Sequence, residues 1–315
     1  ARNYISQHRF QEAKTILEES YAGVSNKKAT ELMLFDVYME LGMYDKASEM
    51  LEKSKNLSDY NYLLRLAKWN DYKGDLDAAI RFLEKARDVA DGRKSEPLQL
   101  WTYTNLGDFY GHAGRIQDSY WQYIKSLNMQ PDNAYAKKGL AWIAYSGEKD
   151  TETASRILDS ISVQHQVPDY YLLRAEMAEF NGETAKSKAF TQKFMDAVAK
   201  GNYGAMYNTY LIEVYAESNP KKALEIAQEE VKNRATPETY HLLALAQLKN
   251  GMEEEALKTI DTHVIGKTEE PMALYHAAMV YKANGLSEKV SPLKADLLEA
   301  EFEVGPVLYE KIESL

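Results

Sequence analysis

Few residues in this chain are of types that do covalent or metal chemistry, and their spacing does not bring them together. Its 315 residues include no cysteine, which removes thiolate nucleophiles, disulfides and thiolate zinc sites. The histidines are His8, His112, His165, His241, His263 and His276, and no two of them stand four apart as a metal pair on one helix face would. His241 and His276 fall on successive repeats and are the pair placed to meet; such a pair more often lines a surface than binds a ligand. Asn181 to Ser187 reads NGETAKS, a partial phosphate-loop pattern without the second glycine or a preceding strand, so a helix turn is expected there. The run Glu253, Glu254, Glu255 opens a helix, where negative charge complements the helix dipole. HExxH, GxSxG and strand-borne GxGxxG motifs are absent. The expectation is a protein without catalysis and without a cofactor.

Charge narrows the partners. There are 38 Lys and Arg against 48 Asp and Glu, a net charge of −10, and a phosphate backbone is repelled by such a chain, so no nucleic-acid partner is expected. No apolar run reaches the roughly 20 residues that span a bilayer, and no secretory leader opens the chain at Ala1. A soluble compartment is expected, with the bacterial envelope favoured over the cytoplasm.

The elements that would carry any site are short helices in pairs. Trp101 to Pro131 contains one helix with Tyr103, Leu106, Gly107 and Tyr110 on its inner side, a break at Gly114, and a second helix with Ser119, Tyr123 and Ser126. Gly107 and Ser119 are small where the two axes must approach, and the tyrosines fill the space around that contact. The pattern recurs. Its key small position falls at Ala13, Ala47, Ala79, Ser119, Ala154, Ser187, Ala223, Ala256 and Val290, at intervals of 34, 32, 40, 35, 33, 36, 33 and 34 residues. The long interval is assigned to a lengthened second helix with a loop near Gly92. Phe35 occupies a position that is usually small, and about one extra residue precedes Ala154.

This period and its alternation of large and small residues resemble the tetratricopeptide repeat (TPR) family over essentially the whole chain. The resemblance implies an all-α fold, a right-handed αα superhelix of helix-turn-helix repeats. The expected organisation is one solenoid over 1–315. A truncated first repeat at 1–27 is followed by repeats at 28–59, 60–99, 100–133, 134–167, 168–203, 204–236, 237–270 and 271–298, then a C-terminal capping segment at 299–315. The half repeat at the start leads to the expectation that upstream residues were removed or lie outside this sequence.

The resemblance further implies a concave surface lined by the first helix of each repeat, and a partner that is an unidentified protein or peptide. Early in the chain this surface offers Asn61, Lys68, Trp101, Asn105 and Asp108, polar groups suited to a peptide backbone with one aromatic anchor. Later it offers Ile212, His241, Leu245, Tyr275 and Met279, which form either a helix-accepting groove or a buried seam between repeats or under the C-terminal helix. The family's carboxylate clamp for acidic chaperone tails is not expected, because Asp36, Asp71 and Asp108 stand beside Lys68 and Asn105 and repel such a tail. A receptor for a small molecule, lipid or glycan in the groove is the rival expectation.

Overall fold

The computed structural model describes residues 1–23 and 27–315; the junction expected at the end of the truncated first repeat includes residues 24–26, outside the described residues. Among the described residues the regular structure is entirely helical. The α-helices run α1 Arg2–Ile5, α2 Phe10–Gly23, α3 Lys28–Glu40, α4 Tyr44–Lys53, α5 Tyr60–Tyr72, α6 Leu76–Arg93, α7 Glu96–His112, α8 Ile116–Met129 and α9 Ala134–Trp142. They continue as α10 Thr151–Ser162, α11 Asp169–Phe180, α12 Thr184–Lys200, α13 Asn208–Ser218, α14 Pro220–Asn233, α15 Pro237–Lys249, α16 Glu253–His263, α17 Pro271–Ala283, α18 Ser287–Glu299 and α19 Glu301–Glu313. Successive helices pack in pairs, α5 on α6, α7 on α8 and onward, the all-α architecture of the αα-superhelix class.

Local chemistry sets the helix ends. Asp59, Asp75, Asn133 and Asp150 each accept a hydrogen bond from the backbone N–H three residues on, satisfying a donor that the helix itself leaves unpaired. Helix α6 absorbs the long interval: it continues through Gly92 and ends at Lys94 in the left-handed region (φ 50°), two residues past the expected loop. The extra residue before Ala154 is taken up by a π-helical turn, Ile143–Gly147, directly after α9, with Glu148 N–H donating to Ile143 C=O.

Two compact units form by contact. Unit 1 holds residues 1–57, 202–295 and 315; unit 2 holds 58–201 and 296–314.

Within unit 1 the amino-terminal helices meet residues far along the chain. Gln7 C=O accepts from Ala205 N–H, and the Asn233 amide donates to His8 C=O. Gly42, at φ +69°, faces the Ala235 carbonyl, where a Cβ would lie 2.6 Å from the oxygen; a side chain is excluded both by conformation and by space. Arg234 is buried there and bonds Glu230 (3.0 Å), Glu238 (3.0 Å) and, more loosely, Glu40 (3.4 Å). Phe35, at the position expected to be small, is fully buried.

Unit 2 is built around aromatic wedges between small residues. The Tyr123 ring lies against both Gly107 and Gly139, whose hypothetical Cβ atoms would fall 2.5 and 2.2 Å from it. The close approach expected between Gly107 and Ser119 is therefore filled by Tyr123, with Gly139 of the next repeat on its other side. Leu106 and Leu158 are wholly buried, each contributing roughly 1.5–3 kcal/mol.

A candidate segment-binding face

The first helices of unit 2 are α5, α7, α9 and α11. Trp101, Asn105 and Asp108 stand at i, i+4 and i+7 on α7 and so share one face. Trp101 is 45% exposed. Asn105 is half-buried, and its amide donates to Trp101 C=O at 2.7 Å. Asp108 is not a free carboxylate: it accepts from the Tyr123 hydroxyl at 2.5 Å and from the Tyr135 hydroxyl at 2.7 Å. Burial pushes its pKa up, against the lowering effect of those two bonds. Tyr135, from α9, is 54% exposed, so Asp108 fixes an aromatic ring at the surface beside the α7 face. On α5, Asn61 is exposed and Lys68 half-buried.

The carboxyl-terminal ends of the same helices are covered by α19. The Phe302 ring packs on Gly111, where a Cβ would lie 2.8 Å from it. The Phe302 carbonyl accepts from Trp142 Nε1 at 3.0 Å and Ser146 Oγ at 2.7 Å. Gly305 has φ +76° and sits against Trp142 and Glu176, where a Cβ would come within 2.9 Å of the indole. Exposed ion pairs join Lys149 to Glu301 (3.1 Å) and Lys311 to Glu179 (3.0 Å). The segment expected as a cap, 299–315, thus lies for most of its length along first helices of unit 2.

Burial leaves two carboxyls of this contact ill-solvated. Glu176 takes a 3.1 Å hydrogen bond from the Tyr145 hydroxyl, yet desolvation pushes its pKa up to about 7. Glu303 is also raised, by burial first, with His112 opposing and Asp71 adding to the rise. The π-helical turn places Tyr145 against Glu176 and the next residue, Ser146, on α19; π-bulges recur at functional positions for this kind of re-aiming.

In unit 1 the later candidates separate. Ile212 (0% exposed) and Leu245 (5%) pack with Ala216, Ala223, Ala227 and Leu242 inside the unit, so these two apolar side chains form a seam between repeats, not an open groove. His241 is 3% exposed and meets His276 with the two Nδ1 atoms 2.8 Å apart. The two residues do meet, but in the interior and not on a surface. Burial lowers both pKa values, that of His276 to about 3, so both are neutral, one Nδ1–H donating to the other's lone pair. Tyr275 and Met279 keep partial exposure, the latter packed against the Ile212 cluster.

Sequence reasoning passed over Tyr135, Trp142, Ser146 and Phe302. The first two carried a signal: in the helix starting at Ala134 they hold the same second and ninth places that Trp101 and Asp108 hold in the repeat starting at Leu100. Phe302 carried none, because its contact with Trp142 spans 160 residues.

The comparisons agree with this architecture. The tetratricopeptide repeat family model matches residues 4–56, and no curated protein sequence matches the chain. Among solved structures, the yeast Tom70 is 14% identical over 92% of this chain and 65% of that one, with a TM-score of 0.52. PilW, a widely conserved type IV pilus biogenesis factor, is 16% identical over 65% of this chain and 93% of that one, with a TM-score of 0.50. The human IFIT1 dimer with m7Gppp-AAAA is 15% identical over 92% of this chain and 73% of that one, with a TM-score of 0.49. At such identities the likeness to Tom70 and PilW is one of fold. The family match at residues 4–56, the 34-residue rhythm and the helix pairs that follow it make this chain similar to the tetratricopeptide repeat proteins in fold.

Proposed function

We propose that the chain is a non-catalytic interaction scaffold that holds a segment of a partner protein on the first-helix face of unit 2. The observation that supports this reading is the seat of α19: the same face already holds a helix, through a ring packed on Gly111 and a carbonyl held by Trp142 and Ser146. Aromatic packing combined with donors to a main-chain oxygen is what peptide recognition requires. Beside that seat Trp101 and Tyr135 supply exposed rings, with Asn61, Lys68 and Asn105 as polar neighbours and Asp108 as the residue that orients Tyr135. Aromatic anchors of this kind carry most of the energy in small interfaces. Tyr275 and Met279 are secondary candidates in unit 1. With its carboxylates and its net charge of −10, the face suits neutral or basic segments over acidic ones.

The test is panning of a displayed peptide library on the purified chain. Peptides enriched on the native protein are expected to lose at least tenfold in affinity on the Trp101→Ala, Tyr135→Ala double variant and to be retained by Trp121→Ala, which removes an exposed ring from α8. Enrichment that ignores the double variant, or no enrichment at all, contradicts the proposal.

A further inference from the structure

The exposed rings of unit 2 stand in a row with a fixed step. Trp101, Tyr135 and Asp169 follow one another at intervals of 34 residues and hold the same second place on α7, α9 and α11; Asn61 holds it on α5. Helix α7 packs on α9, and Ala141 of α9 shares a buried cluster with Leu173 of α11. Consecutive members of the row therefore sit one helix spacing apart, about 8–10 Å. The α19 segment covers the other end of these helices, at Gly111, Trp142 and Glu176, while Trp101 and Tyr135 stay exposed.

The row changes chemistry along its length. It offers an indole, then a phenol whose hydroxyl is held by Asp108 at 2.7 Å, then a carboxylate short of partners. Asp169 Oδ1 is buried and finds no hydrogen-bond donor among the described residues; Oδ2 lies 3.9 Å from Lys138 Nζ, at the outer limit of an ion pair, with both side chains partly exposed. Beside Trp101 on α7 come Thr104, its hydroxyl bonded to the Leu100 and Trp101 carbonyls, and Asn105, bonded to Trp101 C=O. That is not the continuous apolar trough that a bound amphipathic helix fills.

A segment crossing these helices must match their step. A β-strand brings side chains to one face about 7 Å apart. An α-helix comes near the step only at seven residues, about 10.5 Å, and needs the trough that is missing. A polyproline II stretch repeats every three residues at about 3.1 Å each, so residues i and i+3 point the same way about 9 Å apart. We propose that the segment this face takes is a polyproline II stretch of the pattern Pro-x-x-Pro-x-x-Arg, or Lys in place of Arg, read in either chain direction, with the prolines on Trp101 and Tyr135 and the cation at Asp169. This rests on the proposed segment-binding function and names the chemistry of its partner. Proline packs on aromatic faces, and the stretch is extended before it binds, so little order has to be imposed on it. The cation decides which end lies on α11, and the net charge of −10 favours it.

Fluorescence anisotropy on the full chain tests this with four peptides: the pattern with Arg in each chain direction, the pattern with one residue inserted between its prolines, and the pattern with Glu in place of the cation. The proteins are native, Trp101→Ala with Tyr135→Ala, Trp121→Ala, Asp169→Lys and the isosteric Asp169→Asn, each first matched to the native protein in helical circular dichroism. One of the two pattern peptides is expected to bind the native chain, to lose at least tenfold on the double ring variant and nothing on Trp121→Ala, and to weaken at least tenfold with the inserted residue. A partly exposed ion pair contributes little, so the Glu peptide is expected to bind the native chain about three- to fivefold more weakly, to match the Arg peptide on Asp169→Asn, and to overtake it on Asp169→Lys. Equal binding with and without the inserted residue, a preference for Arg over Glu that survives both Asp169 variants, or no binding of either pattern peptide overturns the proposal. Should library peptides that depend on Trp101 and Tyr135 bind as helices or without proline, the segment-binding face stands and the polyproline reading alone is refuted; library peptides indifferent to those two rings refute both.

Discussion

The residues that decide this fold are small ones facing rings. Gly139 leaves no room for a methyl group beside Tyr123, whereas Gly92, within α6, has nothing within 4 Å of where a Cβ would be. Both are helical, so alanine gains about 1 kcal/mol of helix propensity at either site. At Gly92 that gain stands alone, and Gly92→Ala should stabilise the chain by about 0.5–1 kcal/mol. At Gly139 the ring must move or the helices part; overpacking of that sort costs about 1–3 kcal/mol, and Gly139→Ala should be net destabilising. Urea denaturation of the two variants gives opposite signs if Tyr123 is the wedge described above, and the same sign if it is not. The period of the sequence made Gly107 legible as a point of close approach. Gly139 was not, because its partner is a ring from the preceding repeat rather than a small residue at a fixed offset in its own.

At the scale of the element, α19 is held by fixed backbone chemistry and faces half-buried carboxyls. Glu176 carries the clearest consequence. Its folded pKa of about 7 lies above the ordinary value of 4.5, so between those values the folded chain binds a proton that the unfolded chain has released. The stability it contributes is fully present below about pH 4.5 and is lost as the pH rises through about 7, at up to roughly 1.4 kcal/mol per pH unit. Glu213, also raised by burial to about 7, titrates in the same window, so the readout is the difference between native protein and Glu176→Gln. Glutamine keeps an acceptor for Tyr145 and cannot ionise. It should flatten the decline between pH 5 and 7.5 in chemical denaturation and be the more stable form at pH 8. Parallel pH profiles for the two proteins would mean that Glu176 is solvated and does not burden the α19 contact.

Across the whole molecule, the repeat rhythm was legible almost end to end, since each helix pair buries its apolar side against its neighbours and writes that demand locally. Ala67, Leu106, Ala154 and Ala256 are all buried where the period placed them. Non-local pairings were not legible. Arg234 meets Glu40 across 194 residues, and Phe302 meets Trp142 across 160; no spacing rule encodes either. For the candidate site, the helical spacing of Trp101, Asn105 and Asp108 was legible on α7, whereas Asp108 could not be recognised as already bonded, because its two tyrosine partners come from other helices. Ile212 and Leu245 looked like groove residues because an apolar inner position and a buried seam have the same sequence signature.

If the chain is a segment-binding scaffold, partner segments lie along the first-helix face of unit 2. A photo-reactive phenylalanine analogue at position 101 or at position 121, irradiated with a peptide enriched on the native chain, reads this directly. Cross-linking is expected from position 101, suppressed by excess unlabelled peptide, with none from position 121. Cross-linking from position 121 alone, or equally from both, would place the peptide elsewhere and contradict the assignment of this face.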